Sequence, residues 1–329
     1  MNHKPVHIFK LDDHVKVKPE VEQYAGWFGK VTHIETTEAG AQLCTVCLEP
    51  DGLEIIFLGS DLELKFKLHK SMLGLFDKCG MAYHFRYNEG KRIPPGTAAV
   101  VGISTHKAAA VDLKAKRDEG SLLPDSQVRD IARDALNETW QAEGVTLDPA
   151  EKFNGEKRTR GEAVDAVVAL ASLHHTKLAP TISPKHIERP FTVEMQNFPV
   201  DLSGIIDLQE ADGTLRDLKT TGKAPGDDAA DKSLDLTCYG LAARALDHVA
   251  PARLALDFLV RGKKPRLETQ TTTRTEGMYR AFLMRVEAVS RAIEAGAFTP
   301  CSPDFWMHTP RYCGYWDMCP YGRRASVTV

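Results

Sequence analysis

The stretch from Phe198 to Lys223, FPVDLSGIIDLQEADGTLRDLKTTGK, alternates apolar and polar residues into an Asp212-Gly213 pair and out again. That is the pattern of two antiparallel strands joined by a short turn. Asp207 closes the run Gly204-Ile205-Ile206-Asp207, while Asp217 and Lys219, two apart in the returning strand, share a face. For both acids to share it, they must lie opposite one another or an even number of positions apart. A two-residue turn at Asp212-Gly213 fails, because it pairs Asp207 with Leu218. A three-residue loop of Ala211, Asp212 and Gly213 pairs Glu210 with Thr214 and sets Asp207 opposite Asp217, with Gly213 in the left-handed conformation. Two carboxylates so placed can hold Mg²⁺ or Mn²⁺ through hard oxygen ligands, and a neighbouring ammonium can orient or help deprotonate a water that attacks a phosphodiester. The same residues also describe an ordinary solvated strand face.

The chain has 329 residues and is 43% hydrophobic, enough for one large domain and a small one. No apolar run reaches the length of a membrane span, and the opening MNHKPVHIFKLDD lacks the basic flank and apolar core of a signal peptide. A cytoplasmic location without membrane contact is expected. Seven scattered cysteines argue against a disulfide framework and leave metal ligation open. A net charge of −3 excludes a uniformly basic nucleic-acid binder but permits a local basic groove beside an acidic metal site.

Residues 8–66 read as short strands (HVKV, GKVTHIET, LCTVCLE, LEIIFLG) broken by Gly and Pro, the pattern of a small β-barrel. Cys44 and Cys47 form a CxxC inside one strand, where residues three apart face opposite sides, so buried structural cysteines are expected rather than zinc. The phrases Asp13-His14-Val15-Lys16-Val17, Gly26-Trp27-Phe28-Gly29-Lys30-Val31 and Asp61-Leu62-Glu63-Leu64 resemble SH3-like barrels of the KOW type. Two domains are expected, a barrel over 1–66 and a larger domain over 67–329.

In the larger domain, His69–Tyr87 predicts a helix opening at Ser71 with Leu75, Cys79, Ala82 and Tyr83 near one face. Gly102-Ile103-Ser104-Thr105-His106 leads a second helix, with His106 in its first turn or two. Two further helical patterns lie within 121–178, separated by TLDPAEKFNGEKRTR, an expected exposed loop whose Lys152, Lys157, Arg158 and Arg160 either touch phosphates or are simply solvated. His174 and His175 close the second of these helices and read as structural, suited to its C-terminal end. LALDFLVRG and PRLETQTTT form another strand pair, followed by the long helix TEGMYRAFLMRVEAVSRAIEAG. Cys301, Cys313 and Cys319 gather among aromatic residues in a tail too exposed in pattern for core duty, and clustered thiolates of this kind hold metal.

A helix with a cysteine, a glycine-led helix with a histidine, GxxD and DxK strands, a helix with an aromatic residue and carboxy-terminal cysteines follow one another from about Ser71 to Gly322. This order resembles the RecB-type branch of the PD-(D/E)xK nucleases, and within it the iron–sulfur members: AddB-like, CRISPR-adaptation and phage-encoded exonucleases. The resemblance implies an α/β, restriction-endonuclease-like core with a mixed central sheet flanked by helices. It implies that His106, Asp207, Asp217 and the Leu218 carbonyl bind Mg²⁺ or Mn²⁺, that Lys219 serves the attacking water, and that Glu188 lies behind the metal site. Cys79, Cys301, Cys313 and Cys319 would hold a 4Fe-4S cluster, with zinc as the alternative, and Tyr239, Asp235 and Lys223 would meet DNA. Two positions depart from the family. Asp235 stands where a glutamine is usual, one helical turn before Tyr239; an acid cannot donate the amide hydrogen bond, repels phosphate, and could pair with a lysine or approach the metal. Pro310 stands where a tail cysteine is usual, with Cys301 further upstream taking its place. The activity expected is metal-dependent hydrolysis of DNA, exonucleolytic on single strands or duplex ends, in recombination, repair or phage DNA processing. A non-catalytic DNA-binding scaffold of the same fold, or a CRISPR-adaptation-type nuclease acting with a recombination or CRISPR partner protein, are the alternatives.

Overall fold

The computed structural model describes residues 8–322 apart from Pro50, Asn197 and Ala252. Residues 1–7 and 323–329, at the outer ends of the two expected domains, lie outside the described residues. The chain forms two compact units, one of Met1–Leu73, Thr192–Ser203 and Met284–Gly296, the other of Gly74–Phe191, Gly204–Leu283 and Ala297–Val329.

In the first unit, β1 (His14–Val17), β2 (Phe28–Thr36), β3 (Gln42–Leu48), β4 (Leu53–Leu58) and β5 (Leu62–Leu64) pair antiparallel in the order β4-β3-β2-β1-β5. Side-chain alternation sends Val15, Val17, Val31, Cys44, Val46 and Phe57 into one apolar core. Cys44 is buried and Cys47 only half-buried in the same strand, so the expected alternation holds while the expected burial holds for Cys44 alone. A register shift between Val31 and His33 bends β2. Among the described residues no ladder joins β4 to β5, so the expected SH3-like barrel is seen only as an open five-stranded sheet. β5 is three residues long and pairs with β1. A buried ion pair fastens the Thr192–Ser203 segment: Lys65 Nζ lies 3.0 Å from Asp201 Oδ1, with the two side chains 1% and 2% exposed, and donates to the Met195 carbonyl at 2.6 Å.

Strand β6 (Phe66–His69) leads into α1 (Lys70–Lys78), which opens one residue before Ser71. The single helix expected through Tyr83 is interrupted. Cys79 is extended, with φ −166°, and α2 (Gly80–Tyr83) starts afresh beyond it. The cause lies far away in sequence: a Cβ on Gly80 would sit 2.8 Å from the Thr299 carbonyl oxygen, and Met81 N–H donates to that oxygen at 3.3 Å. The break seats the tail backbone against the helix.

Helices α3 (Thr97–Glu119), α4 (Asp125–Glu143) and α6 (Glu156–Leu173) pack on one another around Val101, Leu113, Val128, Leu136, Val167 and Leu170. The expected basic loop before α6 is itself helical. Asp148 accepts from the Ala150 and Glu151 amides and Glu151 returns a bond to the Asp148 amide, a capping box that, with Pro149 next in line, starts α5 (Pro149–Asn154). Arg158 and Arg160 are held by Glu162 and Asn137.

Strands β7 (Pro184–Val193), β8 (Val200–Glu210) and β9 (Leu215–Thr221) are followed by α7 (Ala229–Lys232), α8 (Leu234–Asp247), β10 (Leu254–Val260), β11 (Arg266–Thr272) and α9 (Glu276–Glu294). In the second unit the sheet runs β11-β10-β9-β8, with β7 also on β8; β9 and β10 are parallel and their neighbours antiparallel. It is a mixed sheet. Every residue of β10 is buried, as a strand covered on both faces must be. Leu208 and Leu218 join the core of α3, α4 and α6, whereas Asp217, adjacent to Leu218, points to the opposite face. That second face is covered by α8.

Candidate active site

The hairpin follows the odd-loop register. Leu208 pairs with Arg216 and Gln209 with Leu215, Glu210 N–H donates to the Thr214 carbonyl at 2.9 Å, and Gly213 closes the three-residue loop at φ 85°. Continuing the register sets Asp207 opposite Asp217. There the Leu218 N–H donates to Asp207 Oδ2 at 3.2 Å, so a side chain takes a bond that a ladder carbonyl would otherwise fill. Asp217 is buried and Asp207 about a quarter exposed, the second carboxylate forming the solvent side of the pair.

His106 enters from α3. It stands in the third turn rather than the first or second, because the helix begins at Thr97 and Gly102 is interior. A Cβ on Gly102 would lie 3.0 Å from Thr220 Oγ1, so this glycine lets α3 approach β9 closely. His106 Nδ1 is 3.5 Å from Asp207 Oδ2. Burial lowers the His106 pKa, against the opposing pull of Asp217 and of a bond to the Leu218 backbone. A bond that favours the charged ring marks the Leu218 carbonyl as its acceptor. The imidazole is therefore neutral near pH 7, the state that can ligate. Glu188 also acts on His106 electrostatically; it adopts φ 50° and pairs with Lys114 at 3.0 Å.

Helix α8 supplies the supports. Ser233 caps it, accepting from Leu236 N–H, and Asp235 and Tyr239, one turn apart, reach the same group of charges. Lys219 Nζ lies 2.8 Å from Asp217 Oδ2 and 2.7 Å from Asp235 Oδ2. Burial works against its charge, but Asp217 and Asp235 outweigh it and raise the pKa, so Lys219 remains an ammonium. The unusual acid at 235 is thus a partner of the lysine. Tyr239 is buried and donates its hydroxyl to Asp207 Oδ1 at 3.0 Å; burial, then Asp207 and Asp217, push its pKa up. Lys223 is exposed, with its backbone bonded to Thr221.

Two carboxylates, a neutral imidazole and a carbonyl make a hard, mostly oxygen donor set that suits Mg²⁺ or Mn²⁺. No three His, Cys, Asp or Glu side chains among the described residues stand at mutual ligand spacing. Lys219 holds the Asp217 carboxylate, while Tyr239 and the Leu218 amide hold that of Asp207.

The expected four-cysteine cluster is not at ligand spacing among the described residues, although its members are neighbours. Cys301 is hydrogen-bonded to Cys79 and feels Cys313, while Cys313 feels Cys79 and Cys319. Burial first, then Cys79, pushes the Cys301 thiol up to about 11, and burial raises Cys313. Cys79, Cys313 and Cys319 pack against Ala82, Phe85 and Tyr315. All four are free thiols.

His175 Nδ1 lies 2.9 Å from Asp112 Oδ2. His174, expected at a helix end, is fully buried, and it lines a cavity together with His106 and Asp207. The signal was in the spacing of Ala163, Val167, Leu170 and His174, the buried stripe of α6 carried one turn further.

A sequence model of the PD-(D/E)XK nuclease superfamily matches residues 70–320. No curated protein matches the chain. Among solved structures, a candidate exonuclease from Eubacterium rectale is similar at 14% identity over 72% of this chain and 85% of that one, with a TM-score of 0.46. A structure titled SSO0001 is similar at 10% identity over 77% of this chain and 96% of that one, with a TM-score of 0.27. At such scores neither structure carries weight beside the sequence match.

Proposed function

We propose, since the chain belongs to the PD-(D/E)XK nuclease superfamily, that it hydrolyses DNA with Mg²⁺ or Mn²⁺, acting as an exonuclease on single strands or duplex ends. The observation that carries this reading is the convergence of Asp207, Asp217 and His106 beside Lys219. Asp207, Asp217, His106 and the Leu218 carbonyl would hold the ion. When bound, it would polarise the scissile phosphodiester and lower the proton affinity of the attacking water.

The chain's own groups do the positioning. Tyr239 and the Leu218 amide orient the Asp207 carboxylate. Asp235 and Asp217 fix the Lys219 ammonium, which therefore stabilises developing negative charge and orients the water rather than accepting its proton. Cys79, Cys301, Cys313 and Cys319 would hold a 4Fe-4S cluster, tying α2 to the tail. The ladder order β4-β3-β2-β1-β5 and the bend in β2 support an SH3-like module at the N-terminus. Among the described residues no helix is long and apolar enough to cross a membrane.

The test is cleavage of end-labelled single- and double-stranded DNA with Mn²⁺, resolved on a gel, for wild type, Asp217→Asn and Lys219→Ala. Wild type should shorten the labelled strand and both variants should leave it intact; equal cleavage by all three would remove the assignment.

A further inference from the structure

A cavity of about 220 Å³ opens beside Asp207 and His106 and runs back between α3 and the sheet. Its walls are mostly apolar, with Leu113, Leu178 and the small neighbours Ala109 and Ala110, and the carboxylates of Glu188 and Asp257 also reach the lining. His174 lines its inner part, 2% exposed, and its Nδ1 has no hydrogen-bond partner. A buried polar nitrogen without a partner is rare and destabilising, and a ligand that supplies the partner explains its retention. Burial depresses the His174 pKa, so the ring is neutral and presents an uncharged edge. The guanidinium within reach, Arg216, is already held by Glu210 at 2.6 Å and Asp257 at 3.1 Å. An anion therefore finds no uncommitted cation among these groups.

An occupant must be largely apolar on its faces, carry no negative charge, and be polar at one edge, and it must lie alongside the phosphate being cut. We propose that the cavity takes the base of the nucleotide adjoining the scissile phosphate, its faces against the apolar walls and its edge bonded to His174. A base inside a duplex has its edge engaged in pairing and cannot enter, so the substrate is an unpaired nucleotide. This rests on the nuclease reading above and narrows it.

Single-stranded oligonucleotides carrying one abasic site, scanned along the strand, would be digested by the full-length protein with Mn²⁺. Cleavage at the bond adjoining the abasic position should fall at least about tenfold relative to other bonds in the strand, the loss expected when a base's apolar contacts go. In parallel, strands with 2-aminopurine at that position would be bound with Ca²⁺ in place of Mn²⁺. Wild type should change the fluorescence, and Ala110→Leu, which fills the cavity, should abolish the change while melting normally. If Ala110→Leu does not fold, the abasic scan on wild type decides. Cleavage indifferent to abasic sites overturns the inference and leaves the nuclease reading standing. Absence of any cleavage overturns the nuclease reading, and an unchanged 2-aminopurine signal then overturns the base pocket separately.

Discussion

His174 should make the fold acid-sensitive, and His174→Leu should relieve it. Burial first, then the neighbouring His106 and His175, depresses its pKa from 6.5 to about 3. Between those two values the unfolded chain binds a proton that the folded chain refuses, so stability rises with pH across that window and is lost as pH falls below 6.5. Each pH unit is worth about 1.4 kcal/mol, hence about 2 kcal/mol at pH 5. For a chain of this length that corresponds to about 3 °C in Tm. Other groups titrate in the same range, so the quantity to read is the difference between variant and wild type. Thermal melts of both proteins at pH 7.5 and pH 5.0 should show the Tm of His174→Leu rising relative to wild type by about 3 °C on acidification. Parallel melting curves, with a constant offset at the two pH values, would refute the reasoning.

Tyr239→Phe removes the hydroxyl that orients Asp207, a bond to a charged acceptor worth about 1.5–3 kcal/mol, and should raise the Mn²⁺ concentration for half-maximal cleavage by at least about tenfold; an unchanged Mn²⁺ titration would count against that role. Asp201→Ala strands the buried Lys65 ammonium and should cost about 3–5 kcal/mol in denaturant melts. The pair Lys65→Met with Asp201→Leu should recover most of that loss, and a cost no greater than for a surface substitution would contradict the burial argument. Protein purified without oxygen should be brown, with about four irons per chain; Cys79→Ser should lose both the iron and some thermal stability, and zinc alone in the wild type would rule out the iron–sulfur reading.

The shared face of Asp207 and Asp217 was legible because strand alternation and one glycine decide it locally. The paired ends β10 and β11, and the long helix α9, were legible for the same reason: their periodicity is set within the segment. His106 was reachable only through resemblance, since its place depends on how closely α3 lies to β9, which Gly102 permits and no local pattern displays. The break at Cys79 depends on Thr299, and the edges of the N-terminal sheet depend on which strands meet, so neither is written in a window of neighbouring residues. Asp235 drew attention only through resemblance, and its charge left pairing with a lysine and approach to the metal both open; the pairing with Lys219 is what the structure shows. Tyr239 is one helical turn away, but nothing in its sequence context says whether its hydroxyl turns to solvent or, as observed, to Asp207.

The seating of Thr299 against Gly80 has a consequence for how the chain is made. The two residues lie near opposite ends of the second unit, so their contact closes a very long loop, the class of contact that forms late and slows folding. During synthesis from the N-terminus, the segment around Cys79 has no Thr299 to pack against until nearly the whole chain has emerged. A chain that terminates before Thr299 contains the Asp207–Asp217 hairpin but lacks that contact. Chains truncated before Thr299 should therefore be cleaved faster than the full-length protein at the α1–α2 junction in limited proteolysis.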